Sequence, residues 1–279
     1  MNRNDLFAKI NNQILEKLNE GVIPWKRTWK EGIPANFITK RNYHGINFLS
    51  LSINDFPSPY YMTFNQCKEK GGSILTGSKS QMIVYWKVLE FNNEGNEDEL
   101  ERHPVIRYSN VFNLSQTSLN NEEDNNNRII ACDQVLEKMK EPPVIKHNVR
   151  RCYYNTKKDY ISLPKIQDFG MPEEYYSTLF HEIIHWSGHS KRLNRESLIE
   201  NDKDNYSFEE LIAEIGSSYL SALCGISPKV ISNSSSYIDG WIKLSKEQEN
   251  LFPRAAAQAS KAVDYILGDL TIFNSDLIN

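Results

Sequence analysis

The sequence contains few cysteines, and the four that are present are not grouped. Cys67, Cys132, Cys152 and Cys224 lie far apart, and no two of them are separated by only two residues. This spacing excludes a zinc ribbon and is unlike the disulfide framework of a small secreted domain. We therefore expect the chain to work in a reducing compartment, which we take to be the cytoplasm.

Long apolar runs are also missing from the sequence. No segment approaches the length that a membrane-spanning helix needs, and residues 1–10 are too polar for a secretory signal. We therefore expect no membrane partner, and a secreted or periplasmic enzyme is disfavoured. Hydrophobic residues make up 39% and charged residues 24% of the 279 positions, which is enough apolar material for a sizeable core.

Charge and turn residues divide the chain. Residues 1–87 carry an excess of cations, whereas residues 90–124 carry an excess of anions. Residues 120–127 read Asn-Asn-Glu-Glu-Asp-Asn-Asn-Asn, and a segment without apolar side chains cannot contribute to a core. The sequence predicts an α+β protein with an α+β domain over 1–120 and a linker over 121–127. A mainly helical domain with a small β-sheet is predicted over 128–279.

Hydrophobic periodicity predicts the elements of both domains. The predicted helices cover residues 4–20, 63–70, 128–140, 208–223, 237–250 and 254–267. The predicted strands cover residues 81–88 and 105–114, with an exposed acidic loop over 91–102 and a hairpin over 152–163.

The strongest motif is a His-Glu-x-x-His sequence that begins at His181. Pro172 is typical of a first helical turn, and Gly188 is typical of a helix end, so a helix is predicted between them. His181 and His185 then share one face and can bind one metal ion, Zn²⁺ or another divalent cation. That metal would acidify a bound water, and Glu182 would be the catalytic general base that takes its proton.

Two histidines leave a catalytic zinc one protein ligand short. Glu210 and Glu214 lie four residues apart on a predicted helix, so one can bind the metal while the other accepts a hydrogen bond from a histidine. Ser207 and Glu210 also fit a capping box, in which case Glu214 would be the ligand. His189 lies too early for the third histidine of a metzincin, so we interpret it as a residue of the cleft wall or a substrate contact, with the alternative that it hydrogen-bonds a metal ligand or binds the metal itself.

The pattern Glu210-x-x-Ala213-Glu214 after the two histidines resembles the Glu-zincins. That resemblance implies that Glu210 is the metal ligand and that Glu214 orients a histidine. An oxyanion partner is also needed, and the sequence does not rank its four candidates, which are Tyr153, Tyr154, His189 and Tyr206. The hairpin before the helix would offer an edge strand to an extended peptide.

Aromatic and cationic residues alternate in the N-terminal half, as stacking surfaces for unpaired bases require. Alternatively, the aromatic residues belong to the core and the cations to an ordinary solvated face. The residues that we predict to contact single-stranded DNA are Trp25, Lys26, Arg27, Trp29, Lys40, Arg41, Tyr43, Lys79 and Lys87.

Short motifs along most of the chain resemble the ArdC antirestriction proteins. The N-terminal ones are Pro24-Trp25, Tyr43-x-Gly45-x-Asn47, Gly77-x-Lys79 and Tyr85-Trp86-Lys87, and the C-terminal ones are His185-Trp186-Ser187-Gly188-His189 and Arg192-Leu193-x-Arg195. The resemblance implies a protein of a plasmid or other conjugative element. It would bind single-stranded DNA non-specifically and help incoming DNA escape restriction, and its first domain would be similar to TraC-type primases.

The resemblance further implies a zincin-like metallopeptidase domain that acts on a protein substrate of unknown identity. One alternative is a cytosolic zinc metallopeptidase that does not bind DNA, and another is a DNA-binding protein with a purely structural metal. The acidic stretch 91–101 departs from the family, and it would compete with DNA if it lay near the cationic face.

Overall fold

The computed structural model describes residues 3–25, 32–54, 56–93, 96–120, 132–147, 151–199, 203–226, 234–248 and 250–268. The predicted α+β class is confirmed, because helices surround two small sheets. The helices are α1 (Arg3–Asn19), α2 (Ile46–Ser52), α3 (Phe64–Glu69), α4 (Cys132–Glu137), α5 (Pro172–Ser187), α6 (Glu196–Ile199), α7 (Lys203–Leu223), α8 (Ser234–Glu247) and α9 (Leu251–Leu267). The strands are β1 (Ala35–Asn36), β2 (Tyr60–Thr63), β3 (Gln81–Asn93), β4 (Asn96–Asn113), β5 (Val144–Lys146), β6 (Tyr153–Asn155) and β7 (Tyr160–Ser162).

A long antiparallel hairpin dominates the N-terminal sheet, whose strand order is β1-β2-β4-β3. The pairing of β3 with β4 continues from Gln81 opposite Val111 to Asn92 opposite Leu100. The prediction of an exposed loop over 91–102 is therefore wrong. Polar composition suggested a loop, but pairing between the strands satisfies the backbone donors and acceptors of this segment.

Helix α2 covers the outer edge of β3 at the base of the hairpin. The side chain of Asn47 donates to the carbonyl of Val84 at 2.7 Å and accepts from its N–H at 2.8 Å, as a neighbouring strand would. Ser50 donates to the carbonyl of Met82 at 2.8 Å. Because an uncovered strand edge can pair with another chain, these bonds protect this part of the sheet.

Close packing of α5 against α7 builds the C-terminal half. Gly216 of α7 allows the helices to approach, since a Cβ at this position would lie 2.6 Å from the Cδ1 of the buried Ile184. Helix α9 packs on both of these helices, and the three-stranded sheet with order β5-β7-β6 lies against α5.

One hydrophobic cluster contains residues from both halves of the chain. Trp25, which follows α1, is fully buried, and its ring lies 5.7 Å from that of Trp241 and 6.0 Å from that of Phe252. Helix α1 thus packs on α8 and α9. The boundaries 1–120 and 128–279 stay a prediction, and the predicted linker 121–127 lies outside the described residues.

None of the described helices combines the length and the apolar character that crossing a membrane requires.

Candidate metal centre

Two packed helices bring three potential metal ligands together. His181 and His185 lie one turn apart on α5, and Glu210 faces them from α7. The Nε2 atoms of the two histidines are 3.1 Å apart. Oε2 of Glu210 lies 3.4 Å from Nε2 of His181, and Oε1 of Glu210 lies 3.4 Å from Nε2 of His185. All three side chains are buried, so the geometry concentrates two imidazoles and one carboxylate in a space shielded from water.

These distances fit a divalent cation. In a tetrahedral site with metal–nitrogen bonds of about 2.0–2.1 Å, neighbouring ligand atoms lie about 3.3 Å apart. The separations of 3.1 Å and 3.4 Å between ligand atoms agree with that value. The donor set of two imidazoles and one carboxylate is also that of several catalytic zinc sites, which leave one position open.

The other nitrogen of each imidazole faces a carboxylate. Nδ1 of His185 lies 3.2 Å from Oε1 of Glu209, within hydrogen-bond distance. Nδ1 of His181 lies 3.7 Å from Oε1 of Glu214, which is too long for a direct hydrogen bond. The contact with Glu209 favours the His185 tautomer that carries its proton on Nδ1 and leaves the Nε2 lone pair for a metal.

Glu209 also belongs to the site, where it lies behind His185. It is 3% exposed and accepts hydrogen bonds from Arg195 Nε at 3.0 Å and from Ser197 Oγ at 2.7 Å. Burial alone would raise the pKa of Glu209, but the bonds from His185 and Arg195 outweigh it and hold the pKa at about 2. An ionised Glu209 thus links Arg195 to the imidazole.

Arg195 lies against the end of α5. Its guanidinium also donates to Ser187 Oγ at 2.8 Å and to the carbonyl of Ile184 at 2.6 Å. A Cβ at Gly188 would lie 2.6 Å from the guanidinium carbon, so glycine makes this close approach possible. Gly188 and Arg195 belong to the sequence motifs quoted above. Helical periodicity could not predict that they lie near Glu209, because they are outside the helix that carries it.

The start of α7 bears on the choice between Glu210 and Glu214. This helix begins at Lys203, so Ser207 lies inside it and its carbonyl accepts a hydrogen bond from Trp241 Nε1 at 3.0 Å. A capping box at Ser207 therefore has no helix start to cap. In the described residues the metal-like cluster contains Glu210, and the assignment of ligands stays a prediction.

The ligand cluster opens into a cleft of about 840 Å³. Glu182 lines this cleft beside the histidines, as the role of general base requires. Tyr153 and Tyr154 of β6 line the same cleft, and β6 is an edge strand of its sheet. Burial, with a smaller contribution from Glu182, raises the pKa of the Cys152 thiol to about 11, so this cysteine stays protonated in the cleft at neutral pH.

The structure separates the four oxyanion candidates. Tyr206 lines the cleft one helical turn before Glu210, and its hydroxyl lies 3.3 Å from that of Tyr237. Burial, followed by the hydrogen bond with Tyr237 and the charge of Glu210, raises the pKa of Tyr206. Tyr206 is therefore a neutral hydroxyl beside the ligand cluster at neutral pH.

The other three candidates have different partners. The Tyr154 hydroxyl donates to Asp159 at 2.7 Å and accepts from Arg192 at 3.0 Å. The Tyr153 hydroxyl lies 3.2 Å from that of Tyr160. His189, which was expected on the cleft wall, does not line the described cleft, and its ring lies 6.4 Å from that of Tyr154.

Two residues that were predicted to contact DNA belong to the core instead, so the prediction is wrong for them. Trp25 is fully buried, and Tyr43 is 5% exposed, packs against Tyr61 and accepts a hydrogen bond from Asn36. Neither ring offers a face to a base. The sequence did not distinguish them from surface aromatics because their burial depends on distant partners.

The predicted cationic contacts have several settings. Lys40 is exposed, and its ammonium lies 4.2 Å from the centre of the Phe37 ring, while Arg41 is partly buried. Lys79 and Lys87 are exposed, before and within β3. The predicted contacts Lys26, Arg27 and Trp29 lie outside the described residues.

Comparison with protein families divides the chain in two. Residues 4–112 match the N-terminal domain of the anti-restriction factor ArdC, and residues 132–258 match a zincin-like metallopeptidase. The second match contains both histidines, Glu182 and the three glutamates of α7. A DNA primase TraC from Escherichia coli is 30% identical over 93% of this chain, but the chain spans only 27% of that primase.

Solved structures share the whole fold. The metal-free antirestriction ArdC protein of plasmid R388 superposes with a TM-score of 0.78 at 31% identity, and the match covers 94% of this chain and 96% of that protein. Its Mn(II)-bound structure also gives a TM-score of 0.78, at 29% identity, with coverage of 96% and 99%.

Proposed function

Since this chain belongs to the ArdC family of antirestriction proteins, we propose that it binds single-stranded DNA and carries a metal-dependent peptidase centre. The N-terminal half would hold the DNA, and the cleft of the C-terminal half would hydrolyse a protein substrate. The zincin-like match and the Mn(II)-bound relative support a divalent metal, and Zn²⁺ is the ion that we propose from the ligand types.

The proposed ligands are His181, His185 and Glu210, whose ligand atoms lie within 4.8 Å of one another. When bound, a divalent cation supplies Lewis acidity, which lowers the pKa of water and polarises a carbonyl. Glu209 and Glu214 orient the two imidazoles from behind.

Glu182 and Tyr206 divide the proton chemistry of the proposed reaction. The Glu182 carboxylate accepts the proton of the attacking water and delivers it to the leaving amine. The neutral Tyr206 hydroxyl donates a hydrogen bond to the oxygen on which charge develops, as an oxyanion hole does.

Strand β6 is suited to hold an extended substrate. Its residues Tyr153 and Tyr154 line the cleft, and it is the edge of its sheet. A peptide added to this edge would pass the ligand cluster with its backbone hydrogen-bonded.

One observation carries the peptidase proposal: Glu182 lines the same cleft as His181, His185 and Glu210, whose ligand atoms lie within 4.8 Å of one another. The test is digestion of a proteome-derived peptide library by the zinc-loaded protein, read by mass spectrometry. Glu182→Gln should retain its metal and lose roughly 100-fold or more in cleavage rate. Glu174→Gln, a matched change on the same helix and cleft, should cleave at the wild-type rate.

The alternative of a structural metal has a different outcome. In that case Glu182→Gln and the wild type would behave alike in every proteolysis and antirestriction assay. A wild-type protein that binds metal and cleaves no member of the library would also support the structural reading.

Binding to single-stranded DNA is proposed on the match of residues 4–112 and on the cations of this half. Fluorescence anisotropy of a labelled oligothymidylate should show binding at low salt that weakens steeply as salt rises. Absence of binding at low salt would instead support a peptidase that does not bind DNA.

A further inference from the structure

Three large aromatic side chains are exposed within a short stretch of the β3–β4 hairpin. Tyr85 is 38% exposed, Trp86 is 43% exposed and Tyr108 is 46% exposed. Lys87 and Arg107 are exposed beside them. We call these five residues the ribbon surface. Single exposed aromatic residues are common, whereas a cluster of them often marks a binding surface.

Strand register places these residues in two sets. Tyr85 lies directly opposite Arg107, and Lys87 lies two residues from Tyr85 on the same face. Trp86 and Tyr108 lie on the other face, where Tyr108 is opposite Val84. Diagonal neighbours such as Trp86 and Tyr108 are about 7–8 Å apart, within reach of each other's large side chains. Each face therefore offers at least one ring, and one face adds two cations.

Exposure begins where the supporting elements end. The side chain of Asn47 covers the β3 edge at Val84, and Met82 and Val84 are buried beneath α2. On the other side, β2 pairs with β4 at Val111, Phe112 and Asn113. The ribbon surface lies immediately beyond these contacts.

The local charge has one sign. Residues 81–89 and 103–113 contain no aspartate or glutamate, whereas residues 90–101 contain six acidic residues and no lysine or arginine. The described residues of the acidic stretch belong to the same hairpin and lie toward its turn. A polyanion is thus attracted to Lys87 and Arg107 and repelled from the far end of the hairpin.

We propose that the ribbon surface is where this protein holds single-stranded DNA, with bases stacked on Trp86, Tyr108 and Tyr85 and phosphates paired with Lys87 and Arg107. The inference rests on the DNA binding proposed above and places it on residues other than the buried Trp25 and Tyr43. Single strands suit this surface because their bases are free to stack, while duplex bases already stack on each other.

The test is anisotropy of labelled oligothymidylate with the full chain. The double variant Trp86→Ala/Tyr108→Ala should bind at least about 5-fold more weakly, because each stacked base is worth that much or more. Lys87→Ala/Arg107→Ala should reduce the slope of log affinity against log salt by about 1.4, the value for two lost phosphate contacts on a single strand. A variant that only lost part of its folded population would bind less DNA without changing this slope.

Matched controls lie on α9. Tyr265 is 40% exposed, so Tyr265→Ala controls for loss of an exposed ring, and Lys261→Ala controls for loss of an exposed cation. Both should bind like the wild type. If the wild type binds and the ribbon variants bind equally well, the ribbon surface is wrong while the DNA-binding function stands. If the wild type does not bind, both fail.

A second measurement needs no variant. On irradiation, an oligonucleotide that contains 5-bromodeoxyuridine should crosslink to the peptides around Trp86 and Tyr108. Adducts found only elsewhere in the chain would overturn the proposal, and so would duplex DNA that competes as well as the single strand.

Discussion

At the scale of single residues, the chemistry of the site depends on a buried chain of hydrogen bonds between charged side chains. Arg195 holds Glu209 ionised, and Glu209 holds Nδ1 of His185 at 3.2 Å. Burial lowers the pKa of His185, but the bonds with Glu209 and Glu210 outweigh burial and raise the pKa to about 10. The same carboxylates that favour a proton would favour a cation, so the site is built for positive charge.

Glu209→Gln tests this chain of hydrogen bonds from Arg195 to His185. The amide lacks the charge that supports His185, so metal affinity should fall about 10-fold to 100-fold. Isothermal titration with Zn²⁺ measures the change, and the exposed Glu196→Gln on α6 is the control. Unchanged affinity in Glu209→Gln would show that Glu209 serves only to pair Arg195.

Spacing alone predicted which α5 residues would face one another. His181 and His185 are one turn apart, and the structure brings their Nε2 atoms together. Glu209 could not be predicted in this way, because its partners Arg195 and Ser197 lie between α5 and α7, with Ser197 in the short helix α6. Its role appears only when that segment folds back onto α5 and α7.

At the scale of elements, the site depends on how closely α5 and α7 pack. Gly216 is the residue of closest approach, whereas Gly240 of α8 has room, with a Cβ there lying 3.6 Å from Ser207 Oγ. The contrast between these two helical glycines gives a matched pair of substitutions.

Gly216→Ala should lower the free energy of unfolding by about 1–3 kcal/mol, because the new methyl overpacks the buried Ile184. Gly240→Ala should raise it by up to about 1 kcal/mol, since alanine favours helix and meets no clash. Urea unfolding of both variants measures the difference. Equal stability of the two would contradict the close crossing of α5 and α7.

An ion pair ties the β6–β7 hairpin to the end of α5. Arg192 binds both oxygens of Asp159, at 2.5 Å and 3.1 Å, and its guanidinium lies 4.0 Å from the centre of the Trp186 ring. The bond from Arg192 holds the pKa of Asp159 at about 2, below its ordinary value of 3.8. The hairpin that forms the cleft wall is thereby fixed to the metal-binding helix.

Asp159→Asn should therefore destabilise the protein in a pH-dependent way. A carboxylate whose pKa is lowered on folding contributes its full stability above the unfolded pKa, and that stability disappears as pH falls. After allowance for solvent screening, the loss should be about 1 kcal/mol at neutral pH and should shrink between about pH 4 and pH 2. Urea unfolding at several pH values measures it, with the exposed Asp239→Asn as control. A loss that is the same at every pH would contradict the ion pair.

The element boundaries show what pattern reasoning could reach. Helices α1, α5 and α9 were predicted within a few residues, because their apolar periodicity is long. The hairpin over 91–102 was missed, since strands that pair outside the core need no apolar alternation.

At the scale of the whole molecule, the two halves share apolar packing. Trp25 lies between Trp241 and Phe252, so a residue of the first half completes the core of the second. The charge patterns and the linker composition predicted two separate units. They could not predict this contact, because it joins residues more than 200 positions apart in sequence.

Trp25→Ala should lower the free energy of unfolding by about 3–5 kcal/mol, the usual cost of removing a buried aromatic ring. Thermal unfolding measures the loss, and Trp86→Ala is the control because this residue is 43% exposed. A small loss in Trp25→Ala, comparable with that in Trp86→Ala, would contradict the packing of α1 and Trp25 on the C-terminal helices.

Anomalous diffraction from crystals grown with Mn²⁺ would locate the metal of the proposed centre. One strong peak is expected, bounded by Nε2 of His181, Nε2 of His185 and the Glu210 carboxylate, with Glu182 facing it. A peak coordinated by Glu214 or His189 in place of Glu210, or no peak within the cleft, would contradict this expectation.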